Sequence, residues 1–212
     1  MSILTDIGEA LEHGKRKQVV ALVQQALDEG MAPQQILTEG LLPGMDRVGV
    51  KFRNNEVFVP EVLVAARAMS AGTELLKPLL AGDASVSLGT AVIGTVKGDL
   101  HDIGKNLVKM MIEGKGINVI DLGVDVAPET FVQAAIDNNA DLICCSALLT
   151  TTMPAMAEVV KAVEAAGIRD KVKIMIGGAP VTQEYCDSIG ADSYTEDAAS
   201  AAIAAAEFLK NK

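Results

Sequence analysis

The segment GTVKGDLHDIGKN, residues 94–106, places Asp99 two residues before His101. At that spacing a carboxylate can accept the ring Nδ1–H, fix the tautomer and leave Nε2 free to face a metal. The bland alternative is a helix-capping Asp102 beside a hydrogen-bonded loop histidine, and this segment alone leaves both open. Two further segments offer polar groups or bare backbone: CCSALLTTTM (144–153), with Ser146 and Leu148, and MIGGAPVT (175–182), with Gly177 and Gly178. A glycine pair lets a ligand or another backbone approach closely, or simply makes a tight turn. Ser146 is a poor hydrolase nucleophile, because no base is left to activate it once His101 is committed. His13, the other histidine, stands before Gly14 at a helix end and reads as a surface cap.

These segments need a frame, and the hydrophobic periodicity supplies one. Residues 1–83 read as helical: Ile3, Ile7 and Leu11; Val19, Val20, Val23, Ala26 and Leu27; a third run from Pro33 to Asn54-Asn55; and a fourth opened by Pro60. The small residues Ala65, Ala66, Ala68, Ala71 and Gly72 would let another helix approach the fourth, giving a four-helix bundle. The stretch 81–85, AGDAS, reads as a linker, and a second domain spans 88–212. There, strand signals at 89–96, 118–122, 142–146, 173–176 and, more weakly, 192–195 alternate with helix signals at 103–115, 128–139, 153–167, 182–189 and 197–210. Five alternations predict an α/β, doubly wound, Rossmann-like five-stranded parallel sheet with ligands at the carboxyl ends of its strands. His101, Ser146 and Gly177 all fall at predicted strand ends.

Neither G-x-G-x-x-G nor G-x-x-x-x-G-K-[ST] occurs at the first strand end, so phosphate cradling loses its usual support. The 212 residues carry a net charge of -10, which argues against a nucleic-acid partner. Aromatics make up only 3% of the chain and Trp is absent, so no stacking platform is in prospect. No run approaches the roughly 20 apolar residues of a membrane span, and the N-terminus does not read as a signal peptide. The expectation is therefore a cytoplasmic protein without a membrane partner. Three cysteines, two of them adjacent, make neither a disulfide framework nor a zinc site and read as buried small residues.

Taken together, Asp99-x-His101-x-x-Gly104, 41 intervening residues, Ser146-x-Leu148, 28 more, and Gly177-Gly178 resemble the signature of cobalamin-binding domains of the methionine synthase type. The helical half is similar as well, including Glu56-Val57-Phe58-Val59-Pro60-Glu61. The whole resembles the free-standing corrinoid proteins of methanol, methylamine and glycine betaine methyltransferase systems. The resemblance implies cobalamin, as methylcobalamin or cob(I)alamin, bound base-off with His101 as the lower axial cobalt ligand. It implies a relay in which Asp99 holds His101 and Ser146 extends the chain, with Gly104, Leu148, Gly177 and Gly178 lining the channel of the nucleotide tail and Asp102 beside it. Phe58 and Val59 would cap the upper face of the corrin, and the linker at 82–85 would be the hinge that swings the cap away.

The same resemblance implies a methyl carrier rather than a complete enzyme. A substrate:corrinoid methyltransferase would load it, with a methylamine or quaternary amine as the leading donor. A corrinoid:tetrahydrofolate or corrinoid:coenzyme M methyltransferase would unload it, and a reductive activation protein would rescue it. The alternatives are a cobalamin-responsive sensor, which usually carries a further output module, and the small subunit of a mutase, which would not be expected to bring the helical half.

Overall fold

The computed structural model describes residues 2–80 and 88–211. The linker expected at 81–85 lies outside the described residues. Two compact units emerge, the described parts of Met1–Ser87 with Gly114–Gly116, and of Leu88–Glu113 with Ile117–Lys212.

The first unit is helical: α1 (Ile3–Glu12), α2 (Arg16–Asp28), α3 (Pro33–Gln35), a π-helical turn (Ile36–Leu41), α4 (Leu42–Arg53) and α5 (Val59–Leu80). The third predicted helix is thus one helical run with a widened turn inside it. That turn comes directly before Pro43, which has no N–H for the Glu39 carbonyl and whose ring clashes with a regular turn. Ile7, Leu11, Val19, Val23, Ile36, Leu41, Val62 and Leu76 form the buried core. The small residues of α5 do admit a neighbour, since a Cβ on Gly72 would lie 3.1 Å from Val19 Cγ1 of α2. At the start of α5 the Glu61 carboxylate accepts the Phe58 N–H at 3.1 Å, half of a capping box. His13 closes α1, its Nδ1 on the Glu9 carbonyl at 2.8 Å.

The second unit alternates β1 (Thr90–Thr95), α6 (Ile103–Glu113), β2 (Asn118–Asp121), α7 (Pro128–Asp137), β3 (Leu142–Ser146), α8 (Pro154–Ala165), β4 (Lys173–Gly177), α9 (Gln183–Ile189), β5 (Ser193–Tyr194) and α10 (Ala198–Lys210). All pairings are parallel and the strand order is β2-β1-β3-β4-β5. The order reverses between β1 and β3, so the ligand crevice of this topology opens over the loops that follow these two strands. Val92, Ile143, Cys145, Ile174 and Ile176 pack with Phe131 of α7, Met156 and Val159 of α8 and Cys186 of α9. α6 and α10 pack on each other. Register places Thr95 opposite Ser146 and Ser146 opposite Gly177, so three separated segments end in one row at the carboxyl edge of the sheet.

Candidate functional site at the carboxyl edge of the sheet

The loop from β1 to α6 carries Asp99 and His101. It begins with a turn closed by the Asp99 N–H on the Val96 carbonyl at 3.1 Å, with Gly98 at φ 84° in the third position. That is a type II turn, which needs a positive φ there and so favours glycine. Thr95, fully buried, donates its hydroxyl to the His101 carbonyl at 2.8 Å. The Asp99 side chain is inaccessible to solvent. Its Oδ1 meets His101 Nδ1 at 2.7 Å and accepts the His101 N–H at 3.1 Å. Its Oδ2 accepts the Leu148 N–H at 2.8 Å and the Thr152 hydroxyl at 2.7 Å. Burial pushes this carboxyl up, but the donors from Leu148, Thr152 and His101 outweigh it and hold it well below the usual carboxylate range. A carboxylate fixed in the anionic form orients the ring with Nδ1–H inward. Nε2 takes no hydrogen bond among the described residues, and the side chain is 51% exposed.

Asp99 takes its further donors from the loop after β3. Ser146 makes no hydrogen bond to Asp99 among the described residues; the second oxygen of Asp99 is filled by Leu148 N–H and Thr152, which lies beyond β3 in the loop before α8. Tyr185 of α9 fixes that loop by donating its hydroxyl to the Met153 carbonyl at 2.6 Å. Ser146 remains at the rim through the sheet register alone.

The glycines divide as well. A Cβ on Gly178 would lie 1.8 Å from the Ala147 carbonyl oxygen, and Gly178 has φ 134°. The chain itself therefore requires glycine here, whatever binds. By contrast, a Cβ on Gly177 would meet only the Thr195 carbonyl oxygen at 3.8 Å, and one on Gly104 nothing within 4 Å. These two leave open space, Gly104 in the first turn of α6 and Gly177 at the end of β4. Asp102 stands just before α6, exposed, its carboxylate accepting from the Asn106 side-chain amide at 3.1 Å. Phe58 is 63% exposed and Val59 37%, at the start of α5 in the helical unit.

Residues that sequence reasoning missed also shape this edge. Lys105, one turn into α6 and almost wholly buried, reaches Asp121 at the end of β2 at 2.5 Å, with Lys109 on the other oxygen at 3.2 Å. Burial raises the Asp121 carboxyl, while Lys105, the Gly123 N–H and Lys109 lower it further than that. All three cysteines are buried, and burial pushes the Cys144 thiol up to about 12 and raises Cys145 and Cys186 too, which disfavours the reactive thiolate.

Leu100, Leu148 and Leu149 on the two loops that carry His101 and Thr152, and Ile103 at the start of α6, are all exposed. An imidazole nitrogen left without a partner, exposed apolar side chains on the same two loops, and open backbone at Gly104 and Gly177 suit a metal carried in a broad organic ring better than a bare ion. Among the described residues no cluster of three or more His, Cys, Asp or Glu could hold a metal on its own, and no helix is long and apolar enough to cross a membrane.

Comparison with known proteins agrees. Two family models described as B12 binding domains match residues 89–203 and 3–77. The chain is 45% identical over 208 residues to dimethylamine corrinoid protein 1 of Methanosarcina acetivorans, covering 98% of this chain and 97% of that protein. It is 43% identical over 197 residues to trimethylamine corrinoid protein 1 of the same organism, 92% and 88% being covered. The crystal structure of the methanol:cobalamin methyltransferase complex MtaBC from Methanosarcina barkeri superposes with a TM-score of 0.89 at 32% identity, covering 99% of this chain and 80% of that one. By its helical and α/β halves alike, the chain belongs to the corrinoid proteins built from B12-binding domains.

Proposed function

We propose that this chain carries a methyl group on the cobalt of a corrinoid bound base-off, with His101 Nε2 as the lower axial ligand. The observation that supports this reading most directly is the Asp99–His101 pair: Nδ1 is held at 2.7 Å by an anionic carboxylate while Nε2 takes no partner among the described residues and the side chain is half exposed. When bound, the corrinoid supplies a cobalt centre that accepts and releases a methyl group. The chain's own part is to hold the imidazole through Asp99, Thr152 and the Leu148 N–H. Gly104 and Gly177 leave room for the nucleotide tail, with Ser146, Leu148 and Asp102 at its edge.

Phe58 and Val59 are proposed to cover the upper face of the corrin and keep it dry. The domains are assigned as a cap over 1–83 and a cobalamin-binding domain over 88–212. Relatives named for dimethylamine and trimethylamine favour a methylamine donor. The partners are then a substrate:corrinoid methyltransferase, a second methyltransferase delivering to tetrahydrofolate or coenzyme M, and a reductive activation protein, all in the cytoplasm.

The test is the visible spectrum of the protein after mixing with hydroxocobalamin and desalting, for wild type and His101→Ala. Retained colour with axial-ligand-sensitive bands that shift in the variant supports the assignment. A folded wild type that leaves the column colourless overturns it.

A further inference from the structure

Asp125 sits in the loop between β2 and α7 and is one of three non-glycine residues among those described with positive φ, at 53°. Aspartate tolerates this left-handed conformation better than most residues, yet it still carries a cost. Across the sheet edge, that backbone aims the residue at the turn preceding His101. Its carboxylate Oδ1 accepts the Gly98 N–H at 2.7 Å, and its own N–H donates to the Asp99 carbonyl at 3.0 Å. The flanking backbone ties the same two loops together: Thr95 N–H to the Gly123 carbonyl and Val126 N–H to the Thr95 carbonyl, both at 3.0 Å, with a Val96–Val126 bridge.

The Gly98 N–H belongs to the central peptide of the type II turn. Types I and II differ mainly by a flip of that peptide, which would turn this N–H away from its present partner. A carboxylate fixed on it therefore favours one form of the turn. Asp99 and His101 follow directly, so the form of the turn sets where the Asp99 carboxylate and the imidazole it holds are aimed. We infer that Asp125 is a positioning residue for the histidine ligand, acting through the Gly98 peptide; this rests on the corrinoid reading above. Neither the histidine motif nor the glycine pair contains Asp125, and its role comes only from the pairing of the β1 and β2 loops.

Asp125→Gly keeps the left-handed backbone and removes the acceptor, whereas Asp125→Asn keeps both an acceptor and tolerance of positive φ. Two quantities decide the matter. The first is the hydrogen-exchange rate of the Gly98 amide in the apoprotein, which reports the clasp without any cofactor. The second is the ratio of histidine-ligated to unligated corrinoid, read from the axial-ligand-sensitive bands after loading with hydroxocobalamin. Asp125→Gly is expected to speed Gly98 exchange and lower the ligated ratio by about tenfold each, the low end of the change expected on losing one hydrogen bond to a charged group. Asp125→Asn should restore most of both, which a merely structural effect of any substitution at this position would not do. Faster Gly98 exchange with an unchanged spectrum overturns the positioning role, and so does unchanged exchange. A wild type that retains no corrinoid overturns the functional reading and this role together, a result distinct from the other two because the exchange rates are measured without cofactor.

Discussion

Replacing Thr152 by valine removes one hydroxyl and keeps the shape of the side chain, so it isolates the donor that the structure places on Asp99. The hydroxyl lies 2.7 Å from Oδ2 and 2.9 Å from the Leu149 carbonyl, and its single proton serves the anionic oxygen. Thr152 is only 8% exposed, so water cannot readily take its place. A hydrogen bond to a charged acceptor is worth about 1.5–3 kcal/mol. Oδ2 keeps the Leu148 N–H in the variant, which argues for the lower half of that range, about 2 kcal/mol. Thr152→Ser makes the opposite change, keeping the hydroxyl and losing a methyl group worth about 0.8 kcal/mol. Urea denaturation of the apoprotein at neutral pH should therefore rank wild type above Ser and Ser above Val, with the Val midpoint lowered at unchanged slope. In a thermal scan the Val variant should melt about 4–8 °C below wild type. Val within about 0.5 kcal/mol of wild type would refute the assignment of the hydroxyl to Asp99. Ser as unstable as Val would show that the methyl group's packing, and not the donor, is what Thr152 contributes.

The two neighbouring glycines should behave oppositely. Gly178→Ala, with its Cβ 1.8 Å from a backbone oxygen, is expected to cost about 3 kcal/mol or more in the apoprotein, read by chemical denaturation. Gly177→Ala should leave apoprotein stability within about 0.5 kcal/mol of wild type and instead reduce the corrinoid retained on desalting; equal stability losses in the two variants would refute the distinction. Because the folded Asp99 carboxyl titrates below its unfolded value, it contributes stability that is present above about pH 3.9 and is lost as pH falls toward the folded value. Wild-type unfolding free energy should thus fall more steeply on acidification through that window than that of Asp99→Asn, and parallel curves would refute the depressed titration. Lys105→Met should destabilise the apoprotein by about 2 kcal/mol, less than for a fully buried pair, since Lys109 still holds Asp121. A neutral result in urea denaturation would show that the pair is dispensable.

Periodicity was enough for most of the α/β half, because β1, β3 and β4 are short, mostly apolar and buried, and lie between helices of the opposite period. Even the weak β5 signal resolved into Ser193–Tyr194, a strand held on one side by β4. The helical half was legible in outline only. The third helix read as continuous from its apolar spacing, and the π turn before Pro43 does not disturb that spacing enough to show.

At the site, the limit has a different cause. His101 and Asp99 are two residues apart, so local chain geometry nearly dictates their contact. The second oxygen of Asp99 is satisfied by residues 49 and 53 positions away, which meet it only because β3 lies beside β1 with Ser146 opposite Thr95. The resemblance points to Ser146 beyond Asp99, and no spacing within a motif brings up Thr152. The strand register is what carries the Thr152 hydroxyl to that oxygen. Ser146 ends β3 as a register partner of Thr95 and Gly177, whereas the chain after it turns back over the switch point and delivers Thr152 to the carboxylate. The same reasoning applies to Gly178, where the close approach that demands glycine comes from Ala147 one strand away and not from a ligand. Positions whose roles depend on β1, β3 and β4 lying side by side are thus invisible to spacing within any single motif. They become readable once the strand order is known, because the switch point between β1 and β3 is where the loops carrying His101 and Thr152 must meet.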